Sequence, residues 1–293
     1  MHNVIPRIAA VHDISGFGKC SLTVALPILS AMGVEVCPLP TAVLSTHTGG
    51  FDNYTFLDMT EQMPPIIDHW KSLNIKFDAI YSGFLGSVRQ VDILIDFIEK
   101  FKHDRLLTIV DPVMGDHGKL YSIFDDEMVR KMRKLVENAT VITPNITEAA
   151  LLLGEEYVDG PISDELAFGF ARRLSELGAE KVVITSVIGE NDVGDGVLDV
   201  PQTTNNQLHI VIYDRATNDA KKLRCSYVNG VFHGTGDIFT SVLSARLLYG
   251  DSLEVAAKSA AEFVSAAIAE TVKHPEITAR DGILFEKILG RNS

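Results

Sequence analysis

The residues best suited to chemistry stand late in the chain, in "NGVFHGTGDIFTSVLSARLLYG" (229–250). Gly234, Thr235, Gly236 and Asp237 directly precede a stretch of helical character. Glycines let the backbone approach a ligand closely and turn several N–H groups toward it. The N-terminus of the following helix adds partial positive charge, so this segment describes an anion hole. Asp237 reads in two ways. It is an ordinary helix-start carboxylate, or it is a general base beside the hole, where an alcohol and a phosphoryl group meet.

A second glycine-rich stretch, "VHDISGFGKCSLTV" (11–24), invites the same reading. A phosphate loop requires G-x-x-x-x-G-K-[ST]. Here Cys20 follows Gly18-Lys19, and Asp13 stands where the first glycine belongs. A dinucleotide fingerprint requires G-x-G-x-x-G/A. Gly16 and Gly18 are present, but the third site is Ser21, although Glu35 lies at a suitable distance. Both templates fail, so the phosphate is assigned to the late loop and a nicotinamide-dependent oxidoreductase is disfavoured. A non-catalytic ligand-binding protein is disfavoured by Asp237, because a binder has no use for a base at an anion hole.

The elements that must position these residues follow from periodicity. Short apolar runs over 6–13, 34–41, 77–84, 106–113, 140–145 and 181–188 predict strands. Helices are predicted from Lys19 to Gly33 and over 61–73, 87–102, 125–138 and 163–178, the last opened by Ser163 and closed by Gly178. After residue 188 the rhythm changes. "DVGDGVLDV", "QLHIVIYD" and "KKLRCSYV" read as antiparallel strands, and helices follow over 236–250 and 252–273. The expectation is one α/β domain over 1–293, with a mostly parallel sheet, an antiparallel edge and helices on both faces.

Ligands in such sheets bind beyond the carboxyl ends of the strands. Those ends carry His12-Asp13, Ser82-Gly83, Asp111-Pro112, Thr143-Pro144-Asn145 and Thr185-Ser186. Each alone is turn chemistry. Together they predict a cleft.

Bulk properties exclude several classes. The net charge is −13 and no Lys/Arg cluster stands out, so no nucleic-acid partner is expected. Cys20, Cys37 and Cys225 are odd in number and lack CxxC spacing, which argues against a disulfide framework and for a reducing cytoplasm. The first residues lack the layout of a signal peptide. No apolar run reaches the ~18 residues of a membrane helix, so no membrane partner is expected. His12, His47, His117 and His233 are scattered and do not form a zinc spacing.

"GTGD" before a helix, late in a chain of this length, resembles the signature of the ribokinase superfamily. "DPVMGD" (111–116), "TPNITEAALL" (143–152), "LSTHTG" (44–49) and "YSGFLGS" (81–87) narrow the resemblance to the pyridoxal kinase family, over about residues 8–273. The resemblance implies a ribokinase-like three-layer α/β/α sandwich. It also implies ATP-dependent phosphorylation of the hydroxymethyl group of a B6 vitamer, with Mg²⁺ and a monovalent cation (K⁺ or Na⁺), in a homodimer. Asp237 would be the base and Gly234, Thr235 and Gly236 the anion hole. Glu148, in the N-x-x-E motif with Asn145, would organise Mg²⁺, with Asp111 beside the ATP phosphates and metal. Asp116 would face the β/γ-phosphates or a cation. Thr143, Thr185 and Ser186 match the nucleotide side, where the monovalent cation binds. His47 and Thr48 would lie on the vitamer side, with Phe84 as an aromatic wall.

One departure stands out. Many family members carry Ser-His at the end of the first strand, with the serine on the pyridine ring. Here the residues are Val11-His12-Asp13. The ring contact then falls to another group of the first loop: Asp13, Ser15 or Lys19, with His12 beside them. The sister group, the hydroxymethylpyrimidine kinases, is the alternative.

Overall fold

The computed structural model describes residues 4–189, 208–225 and 232–290. Its strands are β1 (Arg7–Ser15), β2 (Glu35–Leu44), β3 (Phe56–Asp58), β4 (Ala79–Ser82), β5 (Leu107–Val110), β6 (Gly115–Asp116), β7 (Lys119–Leu120), β8 (Val141–Ile142), β9 (Lys181–Ile188), β10 (Leu208–Asp214) and β11 (Asp219–Cys225). Its helices are α1 (Leu22–Ala31), α2 (Met63–Ser72), α3 (Val88–Phe101), α4 (Asp126–Val136), α5 (Ile146–Leu153), α6 (Asp164–Glu176), α7 (Thr235–Leu248), α8 (Leu253–Thr271) and α9 (Glu286–Leu289).

The main sheet has nine strands in the order β11-β10-β9-β8-β5-β4-β1-β2-β3. From β9 to β2 every neighbouring pair is parallel. The strands alternate faces with the expected period of two. Ala9, Val11, Ile80, Val110, Ile142 and Val182 face one core with α2 to α6. Ile8, Ala79, Tyr81, Ile109, Val141 and Val183 face the other, against α1, α7 and α8. Three layers result, with a hydrophobic core on each side of the sheet. In α7, Ile238 through Ala245 are all buried, so this helix lies within the core rather than over it.

The structure corrects the expected layout in two places. An antiparallel edge was expected only after residue 188, yet β3 also pairs antiparallel with β2. Phe56, Leu57 and Asp58 are all exposed, so β3 has no alternation to reveal it. The segment 140–145 was expected to be strand throughout. The continuous ladder ends at Ile142, an isolated bridge joins Asn145 to Thr185, and Asn145 is the N-cap of α5. The side chain of Asn145 accepts from the Glu148 N–H, and the Glu148 carboxylate accepts from the Asn145 N–H. This is a capping box, so N-x-x-E is first a helix-start signal. The expected strand "DVGDGVLDV" lies outside the described residues.

Candidate active site

Every loop that sequence reasoning placed at a strand's carboxyl end opens on one side of the sheet. The parallel register of β1, β4, β5, β8 and β9 leaves the ends at Val11–Asp13, Ser82, Val110–Asp111, Ile142–Thr143 and Thr185 side by side. Two clefts meet there, and Gly234 and Asp237 line both.

The first cleft, of about 370 Å³, is lined by Asp13, Ser15, His47, Thr48, Phe84 and Asp237 among others. Ser15 Oγ donates to Asp13 Oδ2 (2.8 Å), and burial raises the Asp13 pKa. His47 has both ring nitrogens engaged by backbone. Nδ1 accepts from the Gly49 N–H (3.0 Å) and Nε2 faces the Arg280 carbonyl (3.2 Å). That network assigns the neutral Nε2–H tautomer. His47 therefore has no free ring nitrogen to offer the cleft.

The second cleft, of about 270 Å³, gathers the residues expected at the nucleotide and the metal. Asp111, Asp116, Thr143, Asn145, Glu148, Thr185 and Ser186 line it with Gly234, Thr235 and Gly236. A smaller apolar recess continues from it past Thr185 and Ser186, between Phe239 and Ile268. Asn145 Nδ2 donates to the Gly115 carbonyl (2.9 Å), and the Gly118 N–H donates to Thr147 Oγ1 (3.0 Å). These bonds hold the β6–β7 hairpin, and so Asp116, over α5. His117 and Gly118 form its turn at φ 49° and 72°, the left-handed pair of a type I′ turn.

α7 begins at Gly234 with no side-chain cap, so its first N–H groups are open toward the cleft. The glycines have different reasons. Gly234 sits at φ +83°, and a Cβ there would come within 2.3 Å of the Lys19 carbonyl oxygen. For Gly236 the nearest protein atom to a Cβ would be Asp111 Oδ2, at an ordinary 3.7 Å. Protein packing does not demand a glycine at 236, which leaves backbone approach to a ligand as its use.

Asp237 accepts the Ser21 N–H at Oδ2 (2.8 Å), with its side chain 14 % exposed. Burial, and then the charge of Asp13, push its pKa up to about 7, against the lowering effect of the Ser21 bond. A carboxyl poised near neutrality suits proton transfer from an alcohol.

Burial also raises the pKa of Asp111, aided by the charges of Glu148 and Asp237, and that of Glu148. Glu148 spends both oxygens on backbone: Oε1 accepts from Met114 N (3.0 Å) and Oε2 from Asn145 N (2.9 Å). Among the described residues, no three His, Cys, Asp or Glu side chains converge as a ready metal site. Buried carboxylates that repel one another favour a cation between them. Mg²⁺ suits such a place, because it binds through one or two carboxylates together with water and substrate phosphates.

Two expected substrate groups are not on the cleft. His12 is fully buried beneath it, edge-on to Tyr81 with ring centroids 4.3 Å apart. Its Nδ1 lies 3.9 Å from Asp237 Oδ1, and burial drives its pKa down to about 3. Lys19 turns away: Nζ donates to Glu286 Oε2 (3.0 Å) and to the Ile283 carbonyl (3.3 Å). Its flexible stem reaches an acid more easily than the crowded cleft. Conversely, Tyr121 and His233 line both clefts, and Tyr54 and Cys20 line the first. His233 adjoins "GTGD", and that adjacency was the available signal. Tyr121 lies just past the β6–β7 hairpin, and nothing in its local sequence marks it as a cleft residue.

Residues 26–280 match the family model described as phosphomethylpyrimidine kinase. The chain is 30% identical over 264 residues to the pyridoxine/pyridoxal/pyridoxamine kinase of Bordetella avium, which covers 87% of this chain and 82% of that protein. The chain belongs to the pyridoxal kinase family of the ribokinase superfamily. Solved structures agree with this family. A Bacteroides thetaiotaomicron protein provisionally described as a phosphomethylpyrimidine kinase, in an orthorhombic form with pyridoxal, is 46% identical with a TM-score of 0.88, covering 98% of this chain and 95% of that one. The pyridoxal kinase of Lactobacillus plantarum is 31% identical with a TM-score of 0.83, covering 99% and 98%. The pyridoxal kinase of Leishmania donovani, in complex with ADP and pyridoxine, shares the fold at 23% identity and a TM-score of 0.80, covering 97% and 94%.

Proposed function

We propose that this chain transfers the γ-phosphoryl group of ATP to the hydroxymethyl oxygen of a B6 vitamer, with Asp237 as the base. The observation that carries this reading is the position of Asp237. It lies at the junction of two clefts, beside the open N-terminus of α7, with a pKa raised to about 7. The family and its B6-directed relatives give the acceptor class.

The acceptor ring enters between Phe84 and the face of His47, with its hydroxymethyl oxygen at Asp237. Asp13 and Ser15 offer its polar edge a carboxyl and a hydroxyl, which makes them the groups that stand in for the serine missing at Val11. The ATP phosphates occupy the second cleft, with the transferring group against the N–H groups of Thr235, Gly236 and Asp237. Asp237 takes the hydroxyl proton as the oxygen attacks the γ-phosphorus, the bond to the β-phosphate oxygen breaks, and ADP leaves. Charge on the transferring oxygens is stabilised by fixed dipoles that need no reorganisation. Asp111 and Glu148 would hold Mg²⁺, Glu148 through water, and the ion would neutralise phosphate charge. A monovalent cation would sit near Thr143, Thr185 and Asp116. One nine-stranded sheet through the described residues supports a single kinase domain over 1–293; the free thiols of Cys20, Cys37 and Cys225 support a cytoplasmic place, and the family resemblance supports a homodimer.

The test is ATP consumption with pyridoxal, pyridoxine, pyridoxamine and hydroxymethylpyrimidine side by side. Turnover is expected with the first three at higher kcat/KM than with hydroxymethylpyrimidine. The reverse order would move the chain to the pyrimidine branch, and turnover with none would overturn the reading.

A further inference from the structure

The first glycine loop contacts the base through its backbone, and its conformation is costly. Ser21 sits at φ 55° and ψ −132°, and Lys19 at φ 53°. Such angles are sparsely populated for residues with a side chain, and they persist only where the surroundings over-determine them. Ser21 in this conformation aims its N–H at Asp237 Oδ2. The C-terminal segment 280–286, which runs into the start of α9, packs against this loop.

That segment engages the first loop at two points and the loop after β2 at a third. Lys19 Nζ bonds Glu286 Oε2 and the Ile283 carbonyl, and lies 5.8 Å from the Phe285 ring centroid. Gly282, at φ +76°, packs so closely that a Cβ would come within 2.5 Å of the Gly18 carbonyl oxygen. The Arg280 carbonyl receives the His47 Nε2–H, and the Arg280 guanidinium lies 5.5 Å from the Phe51 ring. Ile283 and Phe285 anchor the segment in the core at 0% and 2% exposure. The segment is thus rooted in the fold and grips both acceptor-side loops.

We infer that residues 280–286 form a strap that positions the base: through the Lys19–Glu286 pair they hold the first loop in the conformation that presents the Ser21 N–H to Asp237. Lys19 and Glu286 are positioning residues and touch no reacting atom. This inference rests on the kinase reading above. Nothing in it requires the strap to touch ATP, so its signature is a fall in kcat with an unchanged KM for ATP.

The experiment compares Lys19→Met, Glu286→Gln and the charge-reversed double variant Lys19→Glu/Glu286→Lys in full-length protein. The assay is steady-state ATP consumption with pyridoxal, and hydrogen exchange is followed over peptides spanning 17–22. Each single variant is expected to lower kcat by about 2- to 5-fold, the scale set by a partly exposed ion pair. KM for ATP should stay within twofold, and the Ser21 amide should exchange faster. The double variant should recover part of the lost kcat and protection, because a carboxylate at position 19 pairs with position 286 but cannot donate to the Ile283 carbonyl. Unchanged kcat and exchange in both single variants would overturn the strap, as would a double variant no better than the worse single. Wild-type protein inactive on every B6 vitamer would overturn the kinase reading instead, leaving the exchange arm to test the strap alone.

Discussion

Asp237→Asn separates the charge of the base from its geometry. Burial lifts the Asp237 carboxyl from 3.8 to about 7. At 1.36 kcal/mol per unit, a rise of about 3 units sets a ceiling of about 4 kcal/mol on the destabilisation by the ionised group. The direction follows from proton binding. Between pH 4 and 7 the folded protein keeps a proton that the unfolded chain releases, so stability falls as pH rises through that window. Asparagine keeps an oxygen for the Ser21 N–H and carries no charge. The variant should therefore be more stable than wild type at pH 8, by up to about 4 kcal/mol, with the difference fading below about pH 4. Its kcat should fall on the order of 10²- to 10⁴-fold while KM for ATP stays near wild type. Urea unfolding at pH 5 and pH 8, together with ATP-consumption kinetics, measures both effects. Equal or lower stability of the variant at pH 8 would refute the burial account. A kcat within a few-fold of wild type would refute the assignment of the base.

Three further perturbations test other parts of the site. Gly234→Ala puts a Cβ 2.3 Å from the Lys19 carbonyl at φ +83°, so it should lower stability by about 1–3 kcal/mol and raise KM for ATP; thermal unfolding and kinetics check it. Glu148→Gln leaves the Met114 or the Asn145 N–H without an acceptor and removes a charge that favours a cation. It should raise the Mg²⁺ concentration for half-maximal rate, and an unchanged Mg²⁺ titration would count against a metal role. His12 is held neutral with its pKa pushed down to about 3, so the folded protein binds fewer protons than the unfolded chain between pH 3 and 6.5 and loses stability on acidification. His12→Leu should remove up to about 1.4 kcal/mol per pH unit of that slope, and parallel unfolding curves for the two proteins at pH 7 and pH 5 would refute the claim.

Much of the site was legible because phosphate chemistry uses short local motifs. Gly234-Thr235-Gly236-Asp237 needs only a loop and a helix start to work, and the sequence carries both. Asp111, Thr143, Asn145 and Thr185 were legible for a different reason: they end apolar runs, and parallel strands bring such ends together. Lys19 was misleading. A lysine in a glycine loop suggests a phosphate or substrate contact, yet its partner Glu286 lies 267 residues away. His12 also misled, because it reads as the end of a strand that in fact runs on to Ser15, in a central strand whose residues from Ile8 to Asp13 are buried on both faces. Glu148 carried two meanings at once, helix cap and acidic ligand, and only the first can be read from spacing.

The apolar period of two, the helix caps and the late glycine turn determined by themselves a mostly parallel α/β sandwich with an uncapped helix start at one edge. Those features rest on local backbone preference and on one-sided burial, which neighbouring residues specify. The tertiary structure decided what the first loop does. "GFGKCS" invites the reading of a phosphate cradle and fails both templates; in the fold it hands a backbone N–H from Ser21 to Asp237. It decided as well that the His47 nitrogens are spent on backbone and that a C-terminal segment grips both acceptor loops. These outcomes depend on contacts between segments far apart in the chain, whose geometry is fixed only when the two cores close against the sheet.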